Sequence, residues 1–322
     1  MWTADLRLVR RACFIDERSK SPRKVFRTMY GISRSAVAMP WRTNLSSRAA
    51  ELSGGDAIVV SIPKSGRTWL RAFLSAYFCA RYEYPFSLDL IKYRDPRIPR
   101  VIYSHDLFEH RTKGRWWDRA RGKFLIPANE LRRTQLILLV RDPRDAFVSH
   151  YIQLTRPTAD APEELKTKTA PEVLHDHYLG IGQIVRTMND WLVEFGDRPN
   201  VTLVRYEDLR SFPAEHFSRV LAAVGEQQVS QQHFDAALHF SEFSNMQKME
   251  AAGSFDSKIL QPRDMNDPES FNVRRGRIGG YADYLSSSDI EYANEAMSAL
   301  DHRFGYDAGE ERAPRYKNST RQ

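Results

Sequence analysis

Apolar positions along the chain fall into two alternating spacings. Residues 57–62, Ala-Ile-Val-Val-Ser-Ile, form a short, mostly apolar run rich in β-branched side chains, the pattern of a strand covered on both faces. After a Pro/Lys/Ser/Gly turn, residues 68–82 carry Trp69, Leu70, Phe73, Leu74, Tyr77 and Phe78 at helical spacing, which predicts a helix with one buried stripe. Strand-like runs recur at 101–104, at 136–140 with a helix to follow through Tyr151, and at 201–204 with a helix over 214–224. Strands interleaved with helices predict an α/β fold, a central parallel sheet flanked by helices in a single domain, joined by right-handed crossovers. The polar stretches 106–133, 155–171 and 251–272 read as long loops or lids. Beyond Tyr306 the chain is polar and aperiodic, so no structure is expected there.

Composition narrows the class. A chain of 322 residues, 42% hydrophobic and 28% charged, is an ordinary globular composition. No apolar run approaches the roughly 20 residues that span a bilayer, and the first thirty residues carry Arg and Lys without the apolar stretch of a signal peptide. A cytoplasmic protein is expected. Cys13 and Cys79 lie far apart in no metal-ligand spacing, so neither a disulfide framework nor a metal is expected. The net charge of +7 is unevenly placed: residues 1–50 hold eleven Lys/Arg against three Asp/Glu, which leaves the remainder at −1. The excess belongs to an N-terminal arm, and nucleic acid is not expected as the partner of the folded domain. The arm reads as a solvated extension, with an anionic surface as its alternative contact. The expected division is a basic arm over 1–44, one domain over 45–306 and a polar tail over 307–322, with self-association into a homodimer left open.

The candidate chemistry lies where strands end. The first strand runs into Pro63-Lys64-Ser65-Gly66-Arg67-Thr68-Trp69, which places consecutive backbone N–H groups at a helix N-terminus, a favourable seat for phosphate or sulfate. Lys64 adds a point charge, and Ser65 and Thr68 add hydroxyls. The NTPase pattern of Gly-x4-Gly-Lys-Ser/Thr is absent, because position 61 is Ser and the lysine precedes the glycine. A second segment, Val140-Arg141-Asp142-Pro143-Arg144-Asp145-Ala146-Phe147-Val148-Ser149, sets two arginines at a strand end and a serine further along the helix. Arginine meets phosphate oxygens in planar bidentate contacts.

With these two segments in hand the chain resembles the PAPS-dependent sulfotransferase family (PAPS being 3'-phosphoadenosine 5'-phosphosulfate), and its cytosolic branch in particular. The resemblance implies a P-loop-like form of the sheet, a 5'-phosphosulfate loop over Lys64, Ser65, Gly66, Arg67 and Thr68, and a 3'-phosphate site at Arg141 and Ser149. It extends to Arg274-Arg275-Gly276, similar to the family's late basic segment that closes over the nucleotide, to Trp69 and Tyr206 near the adenine, and more loosely to Ser241 and Met246. Arg67 stands where the family usually has Thr, and Tyr281 where it usually has Trp. Arg67 either reaches the phosphosulfate or faces solvent.

Sulfuryl transfer, like phosphoryl transfer, asks the protein to align two reactants and to stabilise charge on the departing phosphate, a role for Lys64. The segment Val101-Ile102-Tyr103-Ser104-His105 resembles the family strand ending in its base, which implies His105. Glu109 and His110 are rivals, with Asp106 and His150 behind them. The expected cofactor is PAPS, released as PAP, with no metal. The acceptor is a hydroxyl or amine, and the basic, aromatic run 111–117, with Trp116 and Trp117, leans towards a carbohydrate or glycolipid. A small-molecule P-loop kinase and a non-catalytic nucleotide- or polyanion-binding module are the alternatives.

Overall fold

Strand β1 (Ala57–Ser61) is buried along its whole length because it is paired on both sides. It runs parallel to β2 (Val101–Ser104) on one side and to β3 (Gln135–Val140) on the other, and β3 runs parallel to β4 (Val201–Arg205). The sheet order among the described residues is β2-β1-β3-β4. Registers Val60↔Ser104, Val60↔Leu138 and Val140↔Arg205 bring all four carboxyl ends to one edge. In an open parallel sheet that edge is where ligands bind. The computed structural model describes residues 42, 47–52, 54–156, 161–253, 273 and 276–306.

Parallel strands require crossovers, and helices supply them: α1 (Arg67–Arg81), α2 (Leu107–Thr112), α3 (Pro143–Thr155), α4 (Ile181–Trp191), α5 (Tyr206–Ser211), α6 (Pro213–Ala223), α7 (Gln231–Phe240), α8 (Phe243–Ala251) and α9 (Ser287–Met297). The apolar stripe of α1 packs on the sheet and on α6 and α7. Phe73 stacks on Phe217 at 4.0 Å between ring centroids and meets Phe234 edge-on. Residues 106–133, expected as a loop, instead hold three short helices, α2, Trp116–Ala120 and Ala128–Arg133. Each is too short for a 3.6-residue period to show. Helix α4 was available to the same reading that found α1, since Ile181, Ile184, Val185, Met188 and Trp191 are buried at i, i+3, i+4, i+7 and i+10.

Arg42, assigned to the solvated arm by charge alone, is drawn into the domain. Its side chain is only 4% exposed and pairs with Asp106 and Glu194. Charge counting cannot distinguish a solvated arginine from one with buried carboxylates to meet. The rest of the arm over 1–44, the tail over 307–322 and residues 254–272 lie outside the described residues. Cys79 is buried as a free thiol, and no helix among the described residues is long and apolar enough to cross a membrane.

Phe73 is fully buried at the joint of sheet, α1 and α6. Phe73→Ala is expected to cost about 3–5 kcal/mol, read as a lowered urea midpoint with the m-value unchanged.

Candidate active site

The first loop turns on two left-handed residues, Lys64 at φ 66° and Gly66 at φ 90°. The glycine is required there: a Cβ at position 66 would stand 2.6 Å from Cδ2 of Tyr206. Backbone can therefore lie flat against the Tyr206 ring while the chain enters α1. The N-cap is a glycine with no side chain to cap the helix, and a helix N-terminus is a favourable seat for an anion. Ser65 is fully buried and its Oγ has no hydrogen-bond partner. A buried hydroxyl without an acceptor carries a desolvation cost, which a phosphate or sulfate oxygen would relieve. Ser65 and Gly66 thus fit the 5' end of the expected donor.

The second segment meets this loop. Arg141, just past β3, donates from Nη1 to the Lys64 carbonyl at 3.1 Å and lies 4.5 Å from the centre of the Tyr206 ring. Its Nε is buried and unpartnered, again a donor fit for phosphate. Asp142 caps α3 by accepting from the Arg144 amide at 2.9 Å. One turn on, Asp145 accepts from the amides of Gly279 and Tyr281, both at 2.9 Å, and so anchors the late segment beside Arg141. Burial pushes the Asp145 carboxyl up, with Arg141 opposing. Ser149, four residues beyond Asp145, lies on the same face of α3. Glu207 closes the crest by accepting from the Asp142 amide at 2.9 Å and the Tyr306 hydroxyl at 2.6 Å.

The aromatic side is continuous with both segments. Trp69 donates its indole N–H to the Ser241 carbonyl at 2.6 Å and meets Tyr206 edge-on at 5.8 Å. Arg210 lies between Trp69 (5.8 Å) and Phe243 (4.9 Å). Gly276, at φ 58°, packs so closely on Phe243 that a Cβ would stand 2.4 Å from its ring. Arg274 and Arg275 lie outside the described residues. Met246 is core, packed with Ala72 and Leu88. Asp145, Glu207 and Arg210 were not singled out by sequence reasoning; Asp145 lies inside the quoted arginine segment, but nothing in spacing marks the other two.

At the end of β2, His105 Nδ1 stands 2.6 Å from the Ser61 carbonyl. A carbonyl only accepts, so Nδ1 carries the proton and Nε2 keeps its lone pair. Burial, then the charge of Arg67, push the imidazolium pKa well below its ordinary value, so the ring is neutral at neutral pH. Arg67 acts electrostatically on both His105 and Tyr103, whose hydroxyl burial pushes up to about 12. The rivals are differently engaged. Glu109 pairs with Lys113 at 3.0 Å, His110 is buried with Nδ1 unpartnered, and Asp106 is fully buried and held by Arg42. His150 meets Phe108 edge-on, and burial, then Lys64 and Lys113, bring it down to about 3. Among the described residues no three His, Cys, Asp or Glu side chains form a metal-ligand set.

The unfolded chain binds a proton at His150 near pH 6.5, and the folded chain refuses it until about pH 3. Through that window the unfolded state holds more protons, so stability rises with pH and is lost on acidification. The urea midpoint should fall as pH drops below about 6.5, and His150→Phe should flatten that slope.

Residues 55–305 match the profile of the family described as "Sulfotransferase domain". Curated relatives include cytosolic sulfotransferase 14 of Arabidopsis thaliana, 23% identical over 73% of this chain and 72% of its own. Sulfotransferase 1E1 of Bos taurus is 25% identical over 72% of this chain and 78% of its own. Among solved structures, retinol dehydratase in a complex with retinol and PAP superposes with a TM-score of 0.51 at 16% identity, covering 76% of this chain and 80% of that one. That likeness confirms the α/β sheet architecture. The family match, spanning most of the chain, sets the kinase and the non-catalytic binding module aside. With a match over most of its length, the chain is a PAPS-dependent sulfotransferase and belongs to the sulfotransferase family.

Proposed function

We propose that the protein moves the sulfuryl group of PAPS to a hydroxyl of a carbohydrate or glycolipid, with His105 as the base and Lys64 at the departing phosphate. The observation that carries the reading is the hydrogen bond between His105 Nδ1 and the Ser61 carbonyl. It fixes the tautomer and sets the base at the crest where the Lys64 loop begins. His105 Nε2 takes the acceptor proton as the acceptor oxygen attacks sulfur. The bond from sulfur to the 5'-phosphate oxygen breaks, and the charge gathering on that oxygen is met by Lys64 and the first amides of α1. Ser65, Gly66 and Thr68 hold the 5' end. Arg141, Ser149, Arg274, Arg275 and Gly276 hold the 3'-phosphate, and Trp69 and Tyr206 flank the base. Burial, and after it the charge of Arg67, keeps His105 deprotonated, which gives the departure from Thr a use.

The acceptor reading rests on Trp116 and Trp117. They are 75% and 37% exposed, meet edge-on at 5.7 Å, and carry Arg115 4.9 Å from the Trp117 ring. Exposed indoles with cations beside them suit a sugar face or an anionic headgroup. The catalytic domain is the span from about residue 45 to 306 with Arg42 attached, and the cytoplasm is the proposed location, in keeping with the word cytosolic in the name of the Arabidopsis thaliana relative.

Transfer is to be measured with sulfur-labelled PAPS and a panel of sugars, glycolipids and phenols. His105→Ala should lower kcat roughly 10²–10⁴-fold, and Lys64→Ala roughly 10²–10³-fold. PAP should raise the melting temperature of the wild type while ATP with Mg²⁺ should not. A panel in which only phenols react would overturn the acceptor class. Because the His105 pKa is depressed, kcat should hold through neutrality and fall only below about pH 6.5, the ordinary imidazole value.

A further inference from the structure

We infer that Arg42 and Asp106 are positioning residues for the base, holding the strained turn that aims His105 across the sheet at Ser61. The inference rests on His105 being the base. Asp106 follows it directly and adopts φ 43°, ψ −119°, a conformation that suits glycine and strains any residue with a Cβ. Such strain persists only where the surroundings over-determine it, and it gathers at functional sites.

The surroundings of Asp106 do over-determine it. The residue is fully buried. Its Oδ1 accepts from Arg42 Nη1 at 2.7 Å and from the Ile126 amide at 2.8 Å. Its Oδ2 accepts from Arg42 Nη2 at 2.8 Å and from the Trp191 indole at 3.0 Å. Its own N–H is bound by Ser104 Oγ at 3.0 Å. With four donors on two oxygens, this carboxylate has nothing left to offer a substrate. What it fixes is backbone, and the backbone it fixes is the reversal between β2 and α2. On either side of that reversal the His105 carbonyl accepts from the Phe108 amide at 2.9 Å and the Asp106 carbonyl from the His110 amide at 3.0 Å. The chain is turned back over β1, and the imidazole reaches the Ser61 carbonyl.

Arg42 is what makes a buried charge at position 106 tenable. Its planar fork meets both Asp106 oxygens, its Nη1 also donates to the Ile126 carbonyl at 2.8 Å, and Glu194 takes its remaining edge. One side chain thereby joins the strand-end turn, the loop before Ala128–Arg133 and the residues after α4. It lies upstream of the matched family span of 55–305, so the site of this chain draws on a segment that precedes the family domain.

The test uses the full chain with Asp106→Gly, Arg42→Ala, Arg42→Lys and His105→Ala. It reads thermal unfolding, the PAP-induced shift, kcat and KM for PAPS, and the pH profile of kcat. Glycine takes the backbone angles of position 106 without strain, so Asp106→Gly should stay folded and keep the PAP shift and the KM for PAPS. Its kcat should fall roughly 10²-fold, the effect of a reacting group about 1 Å out of place. The groups acting on His105 are the Ser61 carbonyl, Arg67, Lys113 and His150. A ring released from that seat should move the acid limb of the profile up towards the ordinary imidazole value. Arg42→Ala should show the same kcat loss, and Arg42→Lys a partial one, since an ammonium cannot fork across two oxygens. A purely structural Asp106 predicts the opposite: Asp106→Gly as fast as the wild type with an unmoved pH profile, which would sink the inference. If Arg42→Ala does not fold, Asp106→Gly and Arg42→Lys still decide it. If His105→Ala retains transfer, the base assignment fails and this inference with it. If His105→Ala is inactive while Asp106→Gly is unimpaired, only the inference falls.

Discussion

β1 is hydrogen-bonded to a parallel neighbour along both edges, and this double pairing constrains everything around it. A strand so enclosed has no face or edge to give to water, so its side chains must be apolar and its functional groups can stand only where the pairing stops. It stops at Ser61, and within a few residues of that point the chain supplies a backbone carbonyl for His105, a left-handed lysine and a helix N-terminus. β2 and β3 end in register with it, so the residues that follow them, His105 and Arg141, arrive at the same crest without any long loop to carry them. The site is a consequence of strand lengths as much as of side chains.

This explains which parts could be read from the chain alone. The strands were legible because burial on both faces writes an unbroken apolar run, and α1 because a single buried stripe writes a 3.6-residue period. The loop at Lys64 and the arginine at 141 were legible because each follows directly from such a strand. The three short helices after Asp106 were not, since one or two turns cannot establish a period. Arg42 was misread for a different reason: its charge is visible in the sequence, but its two carboxylate partners lie 64 and 152 residues away. Arg210, set between two aromatic rings contributed by distant helices, has no local mark at all.

The electrostatics of the crest follow from the same enclosure. Cations converge there, Lys64 and Arg67 from the first loop and helix and Lys113 from beyond α2. Burial first, and then these cations, oppose protonation of the nearby imidazoles and hold both His105 and His150 neutral. The cations that would meet a polyanionic donor are therefore also the ones that keep these rings unprotonated.

The bond from Tyr306 to Glu207 has a consequence in time. Glu207 binds the amide of Asp142, beside Arg141, and the tyrosine that completes this contact is the last residue of the described domain to be synthesised. A nascent chain can pair β1, β2 and β3 and form the first loop well before that tyrosine emerges from the ribosome. Glu207 would still lack the Tyr306 hydroxyl on its second oxygen. A chain interrupted before residue 306 would therefore carry the ends of all four strands without the hydroxyl that holds Glu207.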